Sequence, residues 1–151
     1  MSHTTYRRAQ SEDVPDIVNF QVAMAWETEE ELLDASHCDA GVRAVLDNPS
    51  LGQYYIAESD SRVVAVTLTT YEWSDWRNGV VWWIQSVYVL PEFRRQGIYS
   101  GIYAFIRSLA APDPAVRGIR LYVDRRNTTA KEVYARLGMN GEHYQVFEWM
   151  K

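Results

Sequence analysis

The stretch Ser86-Val87-Tyr88-Val89-Leu90-Pro91-Glu92-Phe93-Arg94-Arg95-Gln96-Gly97-Ile98-Tyr99-Ser100, running on into Gly101-Ile102-Tyr103-Ala104-Phe105-Ile106, reads as a buried strand, a short basic turn and a helix with one apolar face. Arg94, Arg95 and Gly97 fall where the turn hands over to the helix. The first backbone N–H groups of a helix have no intrahelical partner, and the macrodipole adds positive potential at that end. Two arginines and a glycine at such a place make a seat for an anion of the pyrophosphate kind.

Working outward, Val80 to Leu90 is nearly all apolar, as expected of a central strand, and Asn78-Gly79 before it is a hairpin turn signal. Upstream, Gly52 to Glu58 and Arg62 to Tyr71 read as strands joined by the turn Ser59-Asp60-Ser61. Asp39 as cap, Val42, Val45 and Leu46 on one face and Pro49 as stop predict a helix before them. An earlier helix opens at Ser11-Glu12-Asp13, carries Val14, Ile17, Val18 and Val22, and runs to about Trp26. Thr5 to Ala9 reads as a short first strand.

Downstream, the helix from Gly97 to about Ala111 shows Ile98, Ile102, Phe105, Ile106 and Leu109 on one face and ends at Pro112 and Pro114. Gly118 to Val123 is the next strand, and the strand–helix–strand order favours parallel pairing with a right-handed crossover. Asn127 caps a last long helix carrying Ala130, Val133 and Leu137, with Gly138 at its C′ position, and Tyr144 to Met150 can close the sheet. The expected fold is α/β, one domain over residues 1–151, with six or seven strands and about four helices.

A chain of 151 residues that is 47% hydrophobic and 23% charged can bury a substantial core. Its excess is aromatic, six Trp and ten Tyr, rings that serve a core first and a ligand cleft second. The net charge of -5 argues against a broad nucleic-acid footprint and suits a cationic or amine partner. Cys38 is the single cysteine, so an internal disulfide is excluded and a reducing compartment fits. His3, His37 and His143 lack metal-ligand spacing, so no metal is expected. No run approaches the ~18 apolar residues of a membrane span, and Met1-Ser2-His3-Thr4-Thr5-Tyr6 carries no leader signal. The expectation is a cytoplasmic protein.

The turn from Arg94 to Ser100 is too poor in glycine for a P-loop or a dinucleotide fingerprint. Two spaced patterns say more. Val87-x-Val89-x-Pro91-x-x-Arg94-x-x-Gly97 is followed about thirty residues later by Leu121-x-Val123-x-x-x-Asn127-x-x-Ala130-x-x-x-Tyr134-x-x-Leu137-Gly138-Met139. Together they resemble the GNAT superfamily of acyl-CoA-dependent N-acetyltransferases, over roughly residues 80 to 140. The resemblance implies a mixed sheet whose two central parallel strands splay apart to admit acetyl-CoA.

Carried onto this sequence, it implies that Val87, Tyr88 and Val89 lie along the pantetheine arm, with Val87 and Val89 pairing their backbone to its amides. Arg94, Arg95, Gln96, Gly97, Ile98, Tyr99 and Ser100 would wrap the pyrophosphate, and Asn127 would hold the arm from the other side. Tyr134 would protonate the departing thiolate. The sequence departs from the pattern twice. Tyr99 stands where a small residue is usual, and Gln85 stands near the position of a catalytic Glu that many members carry; a Gln can orient a water but cannot take the proton.

Amide formation from a thioester needs a neutral amine, a polarised carbonyl and a protonated thiolate. The N–H of about Val89 can polarise the carbonyl, and the unperturbed Tyr pKa of about 10 is close to that of a leaving thiol. Glu72 and Glu27 are the candidate bases. Glu27-Thr28-Glu29-Glu30-Glu31 is either a solvated helix end or an acidic rim that draws in an amine, with Glu31 part of it. Gln85 and Trp73 are further candidates for the acceptor site, and Trp76, Trp82 and Trp83 could add aromatic walls. Trp82 and Trp83 are adjacent on a strand and point to opposite faces. The expected partner is a small-molecule amine, with neither nucleic acid nor membrane and with a homodimer as an option. The rival readings are a peptide or protein N-acetyltransferase, a non-catalytic acyl-CoA-binding module, and a site for another phosphorylated ligand.

Overall fold

The computed structural model describes residues 3–151. Met1 and Ser2, read above for a leader signal, lie outside them. The chain divides into two compact units, one ending at Leu121 and one of Tyr122–Lys151.

The first unit is built on a five-stranded sheet in sequence order: β1 (Thr4–Arg8), β2 (Gln53–Ser59), β3 (Arg62–Ser74), β4 (Gly79–Val89) and β5 (Val116–Leu121). The first four pair antiparallel, and β5 pairs parallel with β4, as the intervening helix requires. Tight turns make the hairpins. Asp60 and Ser61 both adopt the left-handed region (φ 48° and 65°) between β2 and β3, and Asn78 (φ 46°) precedes Gly79 at the start of β4.

Strand alternation assigns the two faces. Tyr54, Ile56, Val66 and Tyr88 pack on one face with Val14, Ile17, Val18 and Phe20 of α1 (Val14–Glu29) and Val42 of α2 (Ala35–Asp47). Tyr55 faces the other way, its ring edge-on to Phe105 of α3 (Ile98–Ala110) at 6.0 Å, and Ile98, Ile102, Tyr103, Ile106 and Ala110 are buried along that helix. Each fully buried isoleucine, such as Ile17, Ile56, Ile102 or Ile106, contributes about 1.5–3 kcal/mol by leaving water.

Two expectations are corrected here. The cap of α2 is Asp34, whose Oδ1 accepts from the N–H groups of Ser36 and His37 at 2.9 and 3.2 Å. Asp39 lies inside the helix and pairs with Arg43 one turn on. The helix begins five residues early because Asp34 offers the same capping chemistry before a more helix-compatible run. Second, the described sheet has five strands, with β5 last in the order, where six or seven strands were expected.

The difference is the tail of the second unit. That unit contains α4 (Thr128–Arg136), a nine-residue helix and so shorter than expected, and residues 142–151 form no strand. Tyr144 and Val146 would lie on one face of a strand there, and Phe147 and Trp149 on the other. Such a strand needs cover on both sides, yet these side chains are 56–91% exposed. No helix among the described residues is long and apolar enough to cross a membrane.

Candidate active site

In the first unit, β4 and β5 part company. Their last paired residues are Ile84 and Leu121, while β4 runs on to Val89 still bonded to β3. The register between β3 and β4 shifts at the same point: Leu68 faces Ser86, Thr69 faces Ile84, and Gln85 is the extra residue of a β-bulge. Beyond the bulge the Leu90 N–H bonds to the Val64 carbonyl. By alternation Tyr88 also turns its backbone groups to β3, and Val87 and Val89 turn theirs to the opposite edge. Those two residues turn the donors and acceptors of a strand that recruits an extended ligand to an edge without a β5 partner, where the Val89 carbonyl accepts from Arg94 Nε at 2.9 Å.

The open edge leads into the anion turn. Pro91–Phe93 form a 3-10 turn, held by the Arg94 N–H on the Pro91 carbonyl and by Gln96 Nε2 on the Glu92 carbonyl at 2.9 Å. Arg95 (φ 61°) and Gly97 (φ 78°) are left-handed, and such a run of backbone makes a concave set of N–H groups. No side chain caps α3, so its first N–H groups face this concavity. Gly97 sits where an L side chain would be strained. The Tyr99 hydroxyl is buried. The ring that departs from the family pattern therefore turns into the protein, and its bulk stays out of the turn.

Polar side chains line the α1/α2 face of the sheet where the strands part. Gln85 Nε2 donates to Thr70 Oγ1 at 2.7 Å. Glu72 lies two residues further along β3 on the same face, where its Oε2 accepts from Arg120 Nη1 of β5 at 2.6 Å. Trp83 pairs with Thr70 on one side and Arg120 on the other, so it shares that face. Trp82 points oppositely, edge-on to Tyr71, as the alternation predicts. Trp73 lies on the Tyr71 face, 64% exposed, so the structure does not bring it together with Gln85 and Glu72. Trp76, 92% exposed at the hairpin tip, lies apart from them too.

Glu27 is placed at the other end of β4. Its Oε1 accepts from the Tyr88 hydroxyl at 3.2 Å and its Oε2 from Arg94 Nη2 at 2.8 Å. Burial and the neighbouring Glu27 carboxylate push the Tyr88 hydroxyl above its usual range. Seven residues of strand separate Tyr88 from Val81, the partner of Glu72, which is about 23 Å of extended chain. The two candidate bases therefore occupy different places. Glu31 follows Glu30, which ends α1 in the left-handed region (φ 51°), and its N–H bonds back to the Ala25 carbonyl.

Within the second unit, Asn127 Oδ1 accepts from the Ala130 N–H at 3.0 Å and caps α4 as expected. Tyr134 is half-buried in its last turn. The helix closes with Met139 N–H on the Tyr134 carbonyl and Gly138 N–H on the Ala135 carbonyl, the pattern that Gly138 (φ 85°) predicted. Among the described residues no group of three or more His, Cys, Asp or Glu could hold a metal ion.

Sequence reasoning missed Thr70 and Arg120. A charged residue between Ile119 and Leu121 in a short strand is a signal that it has a partner across the sheet, but nothing in the sequence names that partner.

The family description "Acetyltransferase (GNAT) family" matches residues 12–139. A solved structure of a possible acetyltransferase from Clostridium difficile 630 is 38% identical, covering 98% of this chain and 97% of its own, with a TM-score of 0.90. An aminoglycoside N-acetyltransferase, AAC(6')-Iy in complex with CoA, is 16% identical over 100% of this chain and 97% of its own, with a TM-score of 0.82. A transcriptional regulator from Bacillus halodurans C-125 is 17% identical over 98% of this chain and 100% of its own, with a TM-score of 0.83. These last two share the fold. Among curated proteins none matches.

Proposed function

The chain belongs to the GNAT acetyltransferase family and is an acyl-CoA-dependent acetyltransferase, and on that premise we propose that it moves an acetyl group from acetyl-CoA to the primary amine of a small cationic or amino-acid-like acceptor. The observation that carries the reading is the fork: β4 runs on from Ile84 to Val89 without a β5 partner, straight into an uncapped helix start. The pantetheine arm would pair with Val87 and Val89, beside Tyr88, and the pyrophosphate would lie on the turn from Arg94 to Ser100, with Arg95, Gln96, Gly97, Ile98 and Tyr99 supplying backbone donors. By the family resemblance Asn127 is a further candidate for holding the arm.

In this reading Gln85, fixed by Thr70, orients a water that passes the ammonium proton to Glu72. The neutral amine attacks the thioester carbonyl, whose developing oxyanion is met by a backbone N–H at about Val89. A C–N bond forms and the C–S bond breaks; Tyr134 gives its proton to the thiolate, the attacking nitrogen releases its extra proton to solvent, and Tyr134 is reprotonated from solvent. Trp83 forms the acceptor floor, and Glu31 with its acidic neighbours favours a cation at the rim. The aminoglycoside enzyme that shares the fold acts on a small molecule by its name. A reducing cytoplasm fits the lone Cys38.

The test is CoA release from acetyl-CoA with polyamines, amino acids, aminoglycosides and short peptides as acceptors. Turnover of a small amine above the peptide rate is expected. Turnover confined to peptides would move the acceptor to the peptide class, for which an open groove is needed.

A further inference from the structure

Arg94 is the first arginine of the anion turn, yet its side chain is engaged away from the turn. Its Nη2 donates to Glu27 Oε2 at 2.8 Å, its Nε donates to the Val89 carbonyl at 2.9 Å, and its guanidinium carbon lies 5.4 Å from the centre of the Tyr88 ring. The Tyr88 hydroxyl completes the cluster by donating to Glu27 Oε1. Carboxylate, carbonyl and aromatic face together form a fitted box for a planar cation, and the chain fills it with its own arginine.

Both ends of this contact involve groups that an acyl-CoA would use. The Val89 carbonyl is on the edge of β4 that has no β5 partner, and Arg94 is the first cationic residue of the turn that follows. We propose that Glu27 and Arg94 form a latch across the cofactor cleft, which acyl-CoA opens by exchange: the pyrophosphate takes the guanidinium from Glu27, and a pantetheine amide takes the Val89 carbonyl from Arg94 Nε. The proposal rests on the reading that acyl-CoA lies along β4. It makes Glu27 a determinant of cofactor affinity, acting against binding, and leaves proton transfer to groups near the bulge.

The pair is 38–43% exposed, so its strength is that of a surface ion pair, and its removal should tighten the cofactor by about two- to five-fold. The test is calorimetric titration of CoA into the whole chain and into Glu27→Gln, Arg94→Ala and the double variant. Glu27→Gln keeps the shape and the Tyr88 contact while removing the charge that holds Arg94. Tighter CoA binding in Glu27→Gln, and no tightening when the same change is made on the Arg94→Ala background, is the expected cycle. Equal tightening on both backgrounds would mean that Glu27 acts only by repelling an anion, and unchanged or weaker binding would mean that the pair supports the cofactor; either result overturns the latch. Absence of CoA binding to the unaltered chain would instead sink the cofactor reading beneath it.

Discussion

Glu72 Oε2 accepts a 2.6 Å hydrogen bond from Arg120 Nη1, so a carboxylate of β3 and a guanidinium of β5 meet across β4 on one face of the sheet. Arg120 lies one residue from the Ile84–Leu121 pair that ends the ladder, and Glu72 stands opposite Val81, three residues before Ile84. It therefore staples the base of the fork and fixes the direction of the carboxylate that the proposed reaction uses.

Glu72→Gln preserves the shape and can still accept from Arg120, but it cannot hold a proton from the amine. We expect kcat to fall by roughly 100-fold or more, with the KM for acetyl-CoA changed less than about three-fold because the anion turn is untouched. Initial rates of CoA release against both substrates check this. An unchanged kcat would remove Glu72 from the chemistry.

Tyr134→Phe removes the proposed acid and keeps the ring. A poorly protonated thiolate leaves slowly, so kcat should drop by about 100-fold with little change in CoA affinity. The two are read separately by steady-state rates and by CoA titration. A variant that loses CoA affinity and keeps its kcat would give Tyr134 a binding role.

Much of this site was legible in the sequence because its parts are local. A strand, a Pro-containing turn, two arginines and Gly97 are contiguous; Gly97 is left-handed as its type allows and α3 begins one residue later, whereas residue type does not announce the left-handed Arg95. The pairings were not legible. Gln85 meets Thr70 and Glu72 meets Arg120 because a bulge at Gln85 shifts the register by one residue, and only tertiary pairing sets that shift. The same limit explains Trp73, a good candidate by composition that alternation sends to the other face. The start of α2 was missed because Asp34 and Asp39 offer identical capping chemistry, and packing of the helix on α1 decides between them.

Gly101 is the one glycine of α3, and the ring of Tyr6 from β1 lies against it: a Cβ there would overlap the Tyr6 hydroxyl and its Cζ, with Cε1 at 3.0 Å. Tyr6 is itself stacked on Phe105 at a ring separation of 6.3 Å and has little room to yield. Gly101→Ala raises helix propensity by up to ~1 kcal/mol, but overpacking of this kind costs about 1–3 kcal/mol. A net loss of roughly 1–2 kcal/mol is expected in denaturant unfolding. Tyr6→Phe on the Gly101→Ala background should recover only part of it, since Cζ remains in the way.

Asp13 is the buried carboxylate that ties β1 to the start of α1. It accepts from Arg7 Nη1 and Nη2 at 2.7 and 2.9 Å and from the Gln10 N–H at 2.7 Å. The hydrogen bond from Arg7 holds its pKa below the ordinary value of 3.8, against the opposing effect of burial. Arg7 is held above its own usual range and stays charged throughout. A depressed carboxylate binds fewer protons folded than unfolded, so its contribution is complete above about pH 4 and is lost as pH falls through the lower folded value. Stability should thus be insensitive to Asp13 between pH 5 and 7, by the same unperturbed value of about 4, and should decline below it. Asp13→Asn removes that titration and strands part of the Arg7 charge, which costs about 2–4 kcal/mol at neutral pH. Urea midpoints from pH 7 down to pH 3 should therefore start lower in the variant and fall less steeply on the acid side; parallel curves would show that Asp13 does not couple folding to protons.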